Sequence, residues 1–450
     1  MKKSAYTYYT RVDPDKLLMY NSMRGTSSFI KFHGEDALIA EKCINSPDEF
    51  SGTKIHQVLN EYGMIVPKEL DEKQLCVHIA WKKIFNPTLN LIIMPTEDCN
   101  FRCSYCYETH KNGIMTMKTA DSIIKYVRKN IVKHTELHVV WFGGEPLMSN
   151  DTIECLLYIS DELIKICECA RKKYSADIIT NGYNLTYSVF EKLLKRKVFS
   201  YQVTIDGLAS EHDKYRFLVN GGNTHDKIIN NLLDIKNNCR KRYFNIVIRT
   251  NITSKMEHTL IEHYTELSGK FSDDSRFSFF FRPVGDWGGE NVRRLSKEIY
   301  DTVSFKKIYE KVSNIQLNSH LCFKRYAYFY DDSTCSACYK NSYIIGFDGK
   351  IYKCSCHFEE PENNIGSLNA DGEMVLDMMR TLKWVKMPQF INKCEKCFFA
   401  PACMNMSCPI YSNNIRHVDN NLDDCPYEKK YIKETFNLLE KNGYFKSVNL

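Results

Sequence analysis

The stretch LNLIIMPTEDCNFRCSYCYE, residues 89–108, joins an apolar run of strand length to a loop carrying Cys99, Cys103 and Cys106. Pro95 closes the run, so the cysteines fall just beyond the carboxyl end of a strand. Downstream, similar runs recur: LHVVWF from Leu137, ADIIT from Ala176, SYQVTID from Ser200, FNIVIRTNI from Phe244 and RFSFFFRPV from Arg276. Between them lie amphipathic stretches of helix length, among them TADSIIKYVRKNIV, TIECLLYISDELIKICECA and KIINNLLDIKN. Strand-length and helix-length periods in alternation predict repeated βα units in an α/β chain, six of them here. Chemistry in such a fold belongs at the carboxyl ends of the strands. Cys99, Cys103 and Cys106 lie there after the first strand, Gly143, Gly144 and Glu145 after the second, Thr180, Asn181 and Gly182 after the third, and Asp206 and Gly207 after the fourth.

At 450 residues the chain is long enough for about three domains. Residues 1–85 carry no cysteine cluster. Their segments KLLMYN and SSFIKFHG read as strands before a helix near HGEDALIAEKCIN, which predicts a small N-terminal α+β domain. Residues 86–290 hold the βα repeats. Over 291–450 the alternation fades and cysteines become frequent, which predicts a Cys-rich C-terminal domain closed by a helix in EKKYIKETFNLLEKNGYF. The net charge of +6 is too dilute over this length to imply a nucleic-acid or membrane surface. The first ten residues lack the apolar centre of a secretory signal and no run of 18 apolar residues occurs, which predicts a cytoplasmic protein.

Cysteine usage points to chemistry. Of 19 cysteines, ten fall between Cys322 and Cys425 and three between Cys99 and Cys106. Clustered thiols in a reducing compartment argue for metal or catalysis. Three thiolates on a short loop can hold three irons of a 4Fe-4S cube and leave the fourth open to a small molecule. The competing reading is zinc, for which His110 is a nearby fourth ligand; a loop directly after a strand is a poor setting for a structural zinc knuckle.

The Cys99-x3-Cys103-x-Tyr105-Cys106 loop followed by Gly143-Gly144-Glu145 resembles the radical S-adenosylmethionine (SAM) enzymes, over roughly residues 89–285. The resemblance implies a partial (β/α)6 TIM-like barrel whose open iron binds the amino and carboxylate groups of S-adenosylmethionine. It further implies one-electron cleavage to a 5′-deoxyadenosyl radical that abstracts a substrate hydrogen. On this reading Gly143 and Gly144 bring backbone close to the ligand and Glu145 supports its ammonium, an ordinary turn being the alternative. Thr180 and Asn181 would contact the ribose, or serve as a helix cap and turn. Arg216 would grip the methionyl carboxylate, or form a surface ion pair; Tyr105 would flank the adenine, or pack in the barrel rim.

The downstream cysteines resemble the SPASM extension of the same superfamily, which carries two auxiliary 4Fe-4S clusters. By that resemblance Cys394, Cys397, Cys403 and Cys425 hold one. Cys354 and Cys408 join the other, completed by Cys335 and Cys338, with Cys322 possible in place of either. Four residues rather than three separate Cys403 from Cys408, which leaves that fourth ligand open, and Cys356 is an unexpected extra thiol. A zinc ribbon built on Cys394, Cys397, Cys403 and Cys408 is the alternative.

Members with this extension mostly act on peptides or protein side chains. The sulfatase-maturing branch has an aspartate where this chain has Ser355, which argues against formylglycine formation. The N-terminal domain resembles, in size and placement, the leader-peptide recognition domains of ribosomal-peptide maturases, which can add a leader strand to a sheet edge. The expectation is a peptide maturase installing a thioether or carbon-carbon cross-link in a precursor peptide, with a reductant such as flavodoxin or ferredoxin as a further partner. Modification of a protein side chain or small molecule is the runner-up, and a zinc-stabilised, non-catalytic binding protein the alternative of another class.

Overall fold

The computed structural model describes residues 1–285, 290–300, 308, 311, 335–385, 397–403, 409–412, 429 and 432–450. The chain divides into two compact units, one drawn from residues 1–86, 324–340 and 383–450 and the other from 87–323 and 341–382. The segment 291–450, expected as one domain, is therefore shared between the two.

The first unit begins with strands β1 (Lys2–Lys3), β2 (Thr7–Asp13), β3 (Lys16–Asn21) and β4 (Ile30–His33). Helices α1 (Gly34–Asn45) and α2 (Lys54–Glu61), the short β5 (Ile65–Val66) and helix α3 (Glu72–Ile84) follow. Leu17, Met19, Ile30 and Phe32 bury one face of the sheet against Ala37, Ala40 and Ile44 of α1. The closing helix, Ile432–Lys441, belongs here: Phe436 meets the rings of Tyr8, Tyr20 and Phe29 edge-on. Helix α3 carries two further contacts. Ala80 and Ile84 pack with Cys335 and Cys338, and Cys76 with Tyr6, Cys397 and Ala400. Three of the predicted cluster cysteines, Cys335, Cys338 and Cys397, thus share apolar cores with the N-terminal module.

In the second unit, strands β6 (Leu89–Ile93), β7 (Glu136–Trp141), β8 (Lys173–Thr180), β9 (Val198–Thr204), β10 (Asn245–Ile252) and β11 (Phe277–Pro283) stand side by side in chain order, all parallel. Parallel neighbours need a crossover. It is supplied by α4 (Met117–Asn130), α5 (Asn150–Cys169), α6 (Tyr187–Lys195), the pair α7 (Ala209–Tyr215) and α8 (His225–Asn238), and α9 (Leu260–Phe271). This is the expected partial (β/α)6 barrel, each of the six runs read as strands being one. The sheet continues beyond β6. Strand β12 (Ser342–Ile345) adds parallel to it, followed by the antiparallel β13 (Lys350–Tyr352), β14 (Asn364–Leu368) and β15 (Met374–Leu376). A strand of four residues, Ser-Tyr-Ile-Ile, in a cysteine-rich region gave too little periodicity to announce β12.

The strands alternate between two environments. Leu91, Val139, Ile178, Val203 and Ile248 are wholly buried in the core shared with α4, α5 and α8. Full burial of each such side chain is worth about 1.5–3 kcal/mol. The intervening positions, Ile179, Gln202, Arg249 and Asn251 among them, line a cavity instead. A dry outer face fixes the register, because a one-residue slip would exchange the two sets.

Candidate active site

The cavity, about 340 Å³, lies where the strands end. Cys99, Cys103 and Cys106 line it together with Tyr105, Gly143, Gly144, Glu145, Thr180, Asn181 and Arg216. Every residue expected at the first cluster and its small-molecule ligand therefore borders one space.

The cysteine loop is held from two sides. Arg102 N donates to Phe217 O at 2.9 Å and Ser104 N to Tyr215 O at 3.0 Å, so the loop pairs with the chain leaving α7. On the other side Gly144 N donates to Thr96 O at 3.3 Å and Glu145 N to Asp98 O at 3.0 Å. This revises the role expected of the glycines. A Cβ on Gly143 would lie 2.2 Å from Thr96 O, and one on Gly144 2.1 Å from Asp98 O, so the close approach they permit is to the backbone leading into Cys99. Their carbonyls accept no hydrogen bond from the described residues and stay available to an ammonium group. Backbone cannot yield as a flexible side chain would, so Gly144→Ala is expected to cost about 3 kcal/mol and to displace the loop. Thermal melts and iron uptake of the variant check this; melting and iron content like the unsubstituted chain would refute it.

Glu145 is wholly buried and acts as a hub. Its Oε1 accepts from Leu147 N at 2.9 Å and from the Thr180 hydroxyl at 2.6 Å, and its Oε2 accepts from Asn181 N at 2.6 Å. It thereby ties the end of β7 to the end of β8. Burial pushes its carboxyl up, against the pull of those donors and of Arg216. The helix-cap reading of Thr180 is corrected, since α6 is capped by Thr186 and the Thr180 hydroxyl serves Glu145. Asn181 Nδ2 donates to Asn100 Oδ1 at 2.8 Å and reaches Cys99 Sγ at 3.8 Å, linking the third strand end to the cysteine loop.

Arg216 is buried as well, which removes the surface ion pair from consideration. Its Nη1 donates to the Tyr105 hydroxyl at 2.7 Å and stands 3.8 Å from Asp206. Tyr105 in turn donates to Asp206 and accepts from Asn251 Nδ2 at 3.2 Å. Arg216 borders the cavity, and its Nε is a buried donor without a hydrogen-bond partner among the described residues.

No ligand set of three or more His, Cys, Asp or Glu side chains among the described residues is arranged to hold a single metal ion. The chemistry of the three thiols nevertheless fits a larger group. Burial pushes all three up, and Cys103 and Cys106 add to the shift at Cys99, so none ionises readily until cationic irons compensate it. His110, the candidate fourth zinc ligand, lines the cavity with both ring nitrogens unpartnered.

Several lining residues were not singled out from sequence: Glu108, Gln202, Thr204, Arg249, Asn251 and Arg282. Alternation along β9 and β10 from the apolar Val203 and Ile248 would have found Gln202, Thr204 and Arg249. Burial, with Glu97, Cys356 and Glu145 nearby, raises Glu108 to about 8. Ser355 and Cys356 also border the cavity. Hydrogen bonds with Cys354, Ser355 and Tyr107, aided by Arg249, draw the Cys356 thiol down to about 6 against its burial. Of the expected auxiliary ligands, Cys354 lies in this unit and Cys335, Cys338, Cys397 and Cys403 in the other. Cys322, Cys394, Cys408 and Cys425 lie outside the described residues.

Residues 93–262 match the family model described as the radical SAM superfamily. The radical SAM cyclopropyl synthase TigE of Paramaledivibacter caminithermalis is 31% identical over 174 residues, 35% of this chain and 34% of that protein, so the match spans about a third of the relative's length. The cysteine-type anaerobic sulfatase-maturating enzyme of Clostridium novyi is 22% identical over 354 residues, 70% of this chain and 87% of the enzyme. Two solved structures share the fold. The structure of anSMEcpe with bound AdoMet and a Cp18Cys peptide superposes with a TM-score of 0.58 at 18% identity, covering 80% of this chain and all of that one. Streptococcus suis SuiB bound to its precursor peptide SuiA superposes at 0.50 with 15% identity, covering 92% and 96%.

Proposed function

The chain carries a radical SAM domain over residues 93–262, and from that premise we propose that it is a peptide maturase installing a thioether or carbon-carbon cross-link in a ribosomally made precursor peptide. The observation that carries the reading is the convergence of Cys99, Cys103, Cys106, the Gly143–Glu145 turn and the Thr180–Asn181 strand end on one cavity. A 4Fe-4S cluster on the three thiols, reduced by a flavodoxin or ferredoxin, would supply the electron that cleaves S-adenosylmethionine to a 5′-deoxyadenosyl radical. The chain's own residues do the rest. The carbonyls of Gly143 and Gly144 would hold the ammonium, Arg216 the carboxylate, and the apolar walls at Phe101 and Phe142 would keep water from the reacting carbon.

Three features favour a peptide cross-link. The N-terminal module offers a sheet to a leader segment. The cysteines Cys335, Cys338 and Cys397 share apolar cores with helix α3 of that module, and with Cys403 they would serve auxiliary clusters. Ser355, where the sulfatase-maturing pattern has an aspartate, borders the cavity and brings no carboxylate to it. A cross-link removes one hydrogen atom to the 5′-deoxyadenosyl radical, then one proton and one electron, so an electron acceptor is required. Auxiliary clusters supply one.

Mass spectrometry of small peptides encoded beside the gene, co-produced with the protein, tests the proposal. The expected product is lighter by two hydrogens and disappears with Cys103→Ala. Unmodified peptides throughout, with S-adenosylmethionine still cleaved, would sink the cross-linking reading.

A further inference from the structure

Three arginines border the cavity, Arg216, Arg249 and Arg282, and they are held differently. Arg216 stands 3.8 Å from Asp206 and donates to the Tyr105 hydroxyl at 2.7 Å. Arg282 is exposed at the end of β11, level with Asn251 of β10. Arg249 lies two residues earlier on β10, about 7 Å further from the strand ends, and is half-buried. Its Nε donates to Asn251 Oδ1 at 2.8 Å, and its guanidinium lies 6.0 Å from the Phe280 ring centroid. It forms no ion pair among the described residues, and both of its Nη groups are without a hydrogen bond there.

The carboxylates nearby are engaged elsewhere or stand apart from it. Asp206 accepts from Tyr105 and, at 2.6 Å, from Asn251 N, beside Arg216. Glu145 accepts from three donors of its own. Glu108 borders the same cavity and forms no ion pair with Arg249. Ser355 and Cys356, which also border it, bring no carboxylate.

The two inner arginines also act on different groups. The charge of Arg216 reaches the thiols of Cys103 and Cys106, whereas that of Arg249 reaches the Tyr107 hydroxyl and the Cys356 thiol. S-adenosylmethionine has one carboxylate, which the reading above gives to Arg216. A second guanidinium, half-buried, steadied at Nε and open at both Nη groups, presents the fork that a carboxylate fills with two parallel hydrogen bonds.

We propose that Arg249 is a specificity-determining residue that receives the carboxylate of an aspartate or glutamate side chain of the peptide, so that the segment brought to the cavity is acidic. This rests on the peptide-substrate reading and adds the chemical class of the residue bound. Arg282, exposed on the same cavity, favours entry of the same charge.

The probes are acetyl-Ala-Glu-Ala-amide and its Gln and Lys counterparts, titrated by calorimetry into the full-length, reconstituted protein holding S-adenosylmethionine. The Glu probe is expected to bind about tenfold or more tightly than the other two, a preference that Arg249→Gln removes and Arg249→Lys keeps in part. Melting shows whether each variant has folded; should Arg249→Gln not fold, the probe ratios in the unsubstituted protein and in Arg249→Lys decide. Absence of binding by the Glu probe, or equal binding of the Glu and Gln probes, would overturn the proposal. So would a preference that survives Arg249→Gln; weakened binding of S-adenosylmethionine in that variant would then give Arg249 to the carboxylate of S-adenosylmethionine. The cross-linking reading fails separately. Glu-selective binding with every neighbouring peptide left unmodified would sink that reading and keep the acidic site. Product formed equally well after each Asp and Glu of a modified peptide is replaced by Asn or Gln would keep cross-linking and overturn the acidic site.

Discussion

Cys99→Ala, Cys103→Ala and Cys106→Ala are each expected to lower iron in the anaerobically reconstituted protein from about 12 per chain to about 8 and to abolish 5′-deoxyadenosine formation. The three thiols lie on one loop fixed on both sides by backbone hydrogen bonds, to residues 215–217 and to the Gly143–Glu145 turn, so the loop cannot shift to bring one thiol into another's place. The loss should therefore be complete at each position and leave the clusters served by the later cysteines in place. Cys155 provides the contrast. It is buried on α5 within the barrel core and does not line the site cavity. Cys155→Ala is expected to keep all the iron and to lose only the free energy of a small packing defect, about 1 kcal/mol. Iron analysis with labile sulfide, beside chromatography of 5′-deoxyadenosine, makes the comparison. Full iron in Cys103→Ala, or its loss in Cys155→Ala, would show that the cluster is held elsewhere.

What was legible in the sequence follows from where the periodic signals are long. Each barrel strand presents an apolar residue at every second position over five or more residues, and each connecting helix is long enough to show its own period. Both signals arise from burial against a continuous core. The Cys99 loop and the Gly143–Glu145 turn were visible because residue type alone restricts them: thiols cluster for a reason, and paired glycines mark a close approach. The object approached was not visible. Only the backbone shows that Gly144 is pressed against Asp98 O.

The assignment of residues to units was hidden for a related physical reason. Helix α3 shares its apolar stripe with Cys335, Cys338 and Cys397, more than 250 positions along the chain, and the strand at Lys446–Ser447 returns to β4. Contacts at such separation leave no local period. The mutual ties of Glu145, Thr180 and Asn181, and of Tyr105, Asp206 and Arg216, were likewise unreadable, since each residue looked like a ligand contact in its own right. They form the scaffold that holds the ligand-facing groups still, which a site built on strand ends needs.

That scaffold yields a second large effect. Glu145→Ala is expected to destabilise the protein by about 3 kcal/mol or more, because it strands three donors at once: the backbone N–H groups of Leu147 and Asn181 and the Thr180 hydroxyl. Glu145→Gln should cost less, about 1–3 kcal/mol. Its amide oxygen can replace one carboxylate oxygen, and the Thr180 hydroxyl can rotate to accept, but its NH2 must face either Leu147 N or Asn181 N. One backbone donor is left without an acceptor in either orientation. The pH dependence separates charge from hydrogen bonding. Burial holds the folded-state carboxyl above its unfolded value. Its contribution is therefore fully present below the ordinary glutamate value and is lost as pH rises through the folded-state value. The glutamine variant lacks that slope, so its deficit should narrow as pH rises. Urea titrations of the three proteins at several pH values measure all of this. A Glu145→Ala variant within about 0.5 kcal/mol of the unsubstituted chain would mean that Glu145 does not join β7 to β8. The same variants report on the site, since loosening the strand ends moves Asn181 away from Cys99 and should weaken S-adenosylmethionine binding even where the protein remains folded.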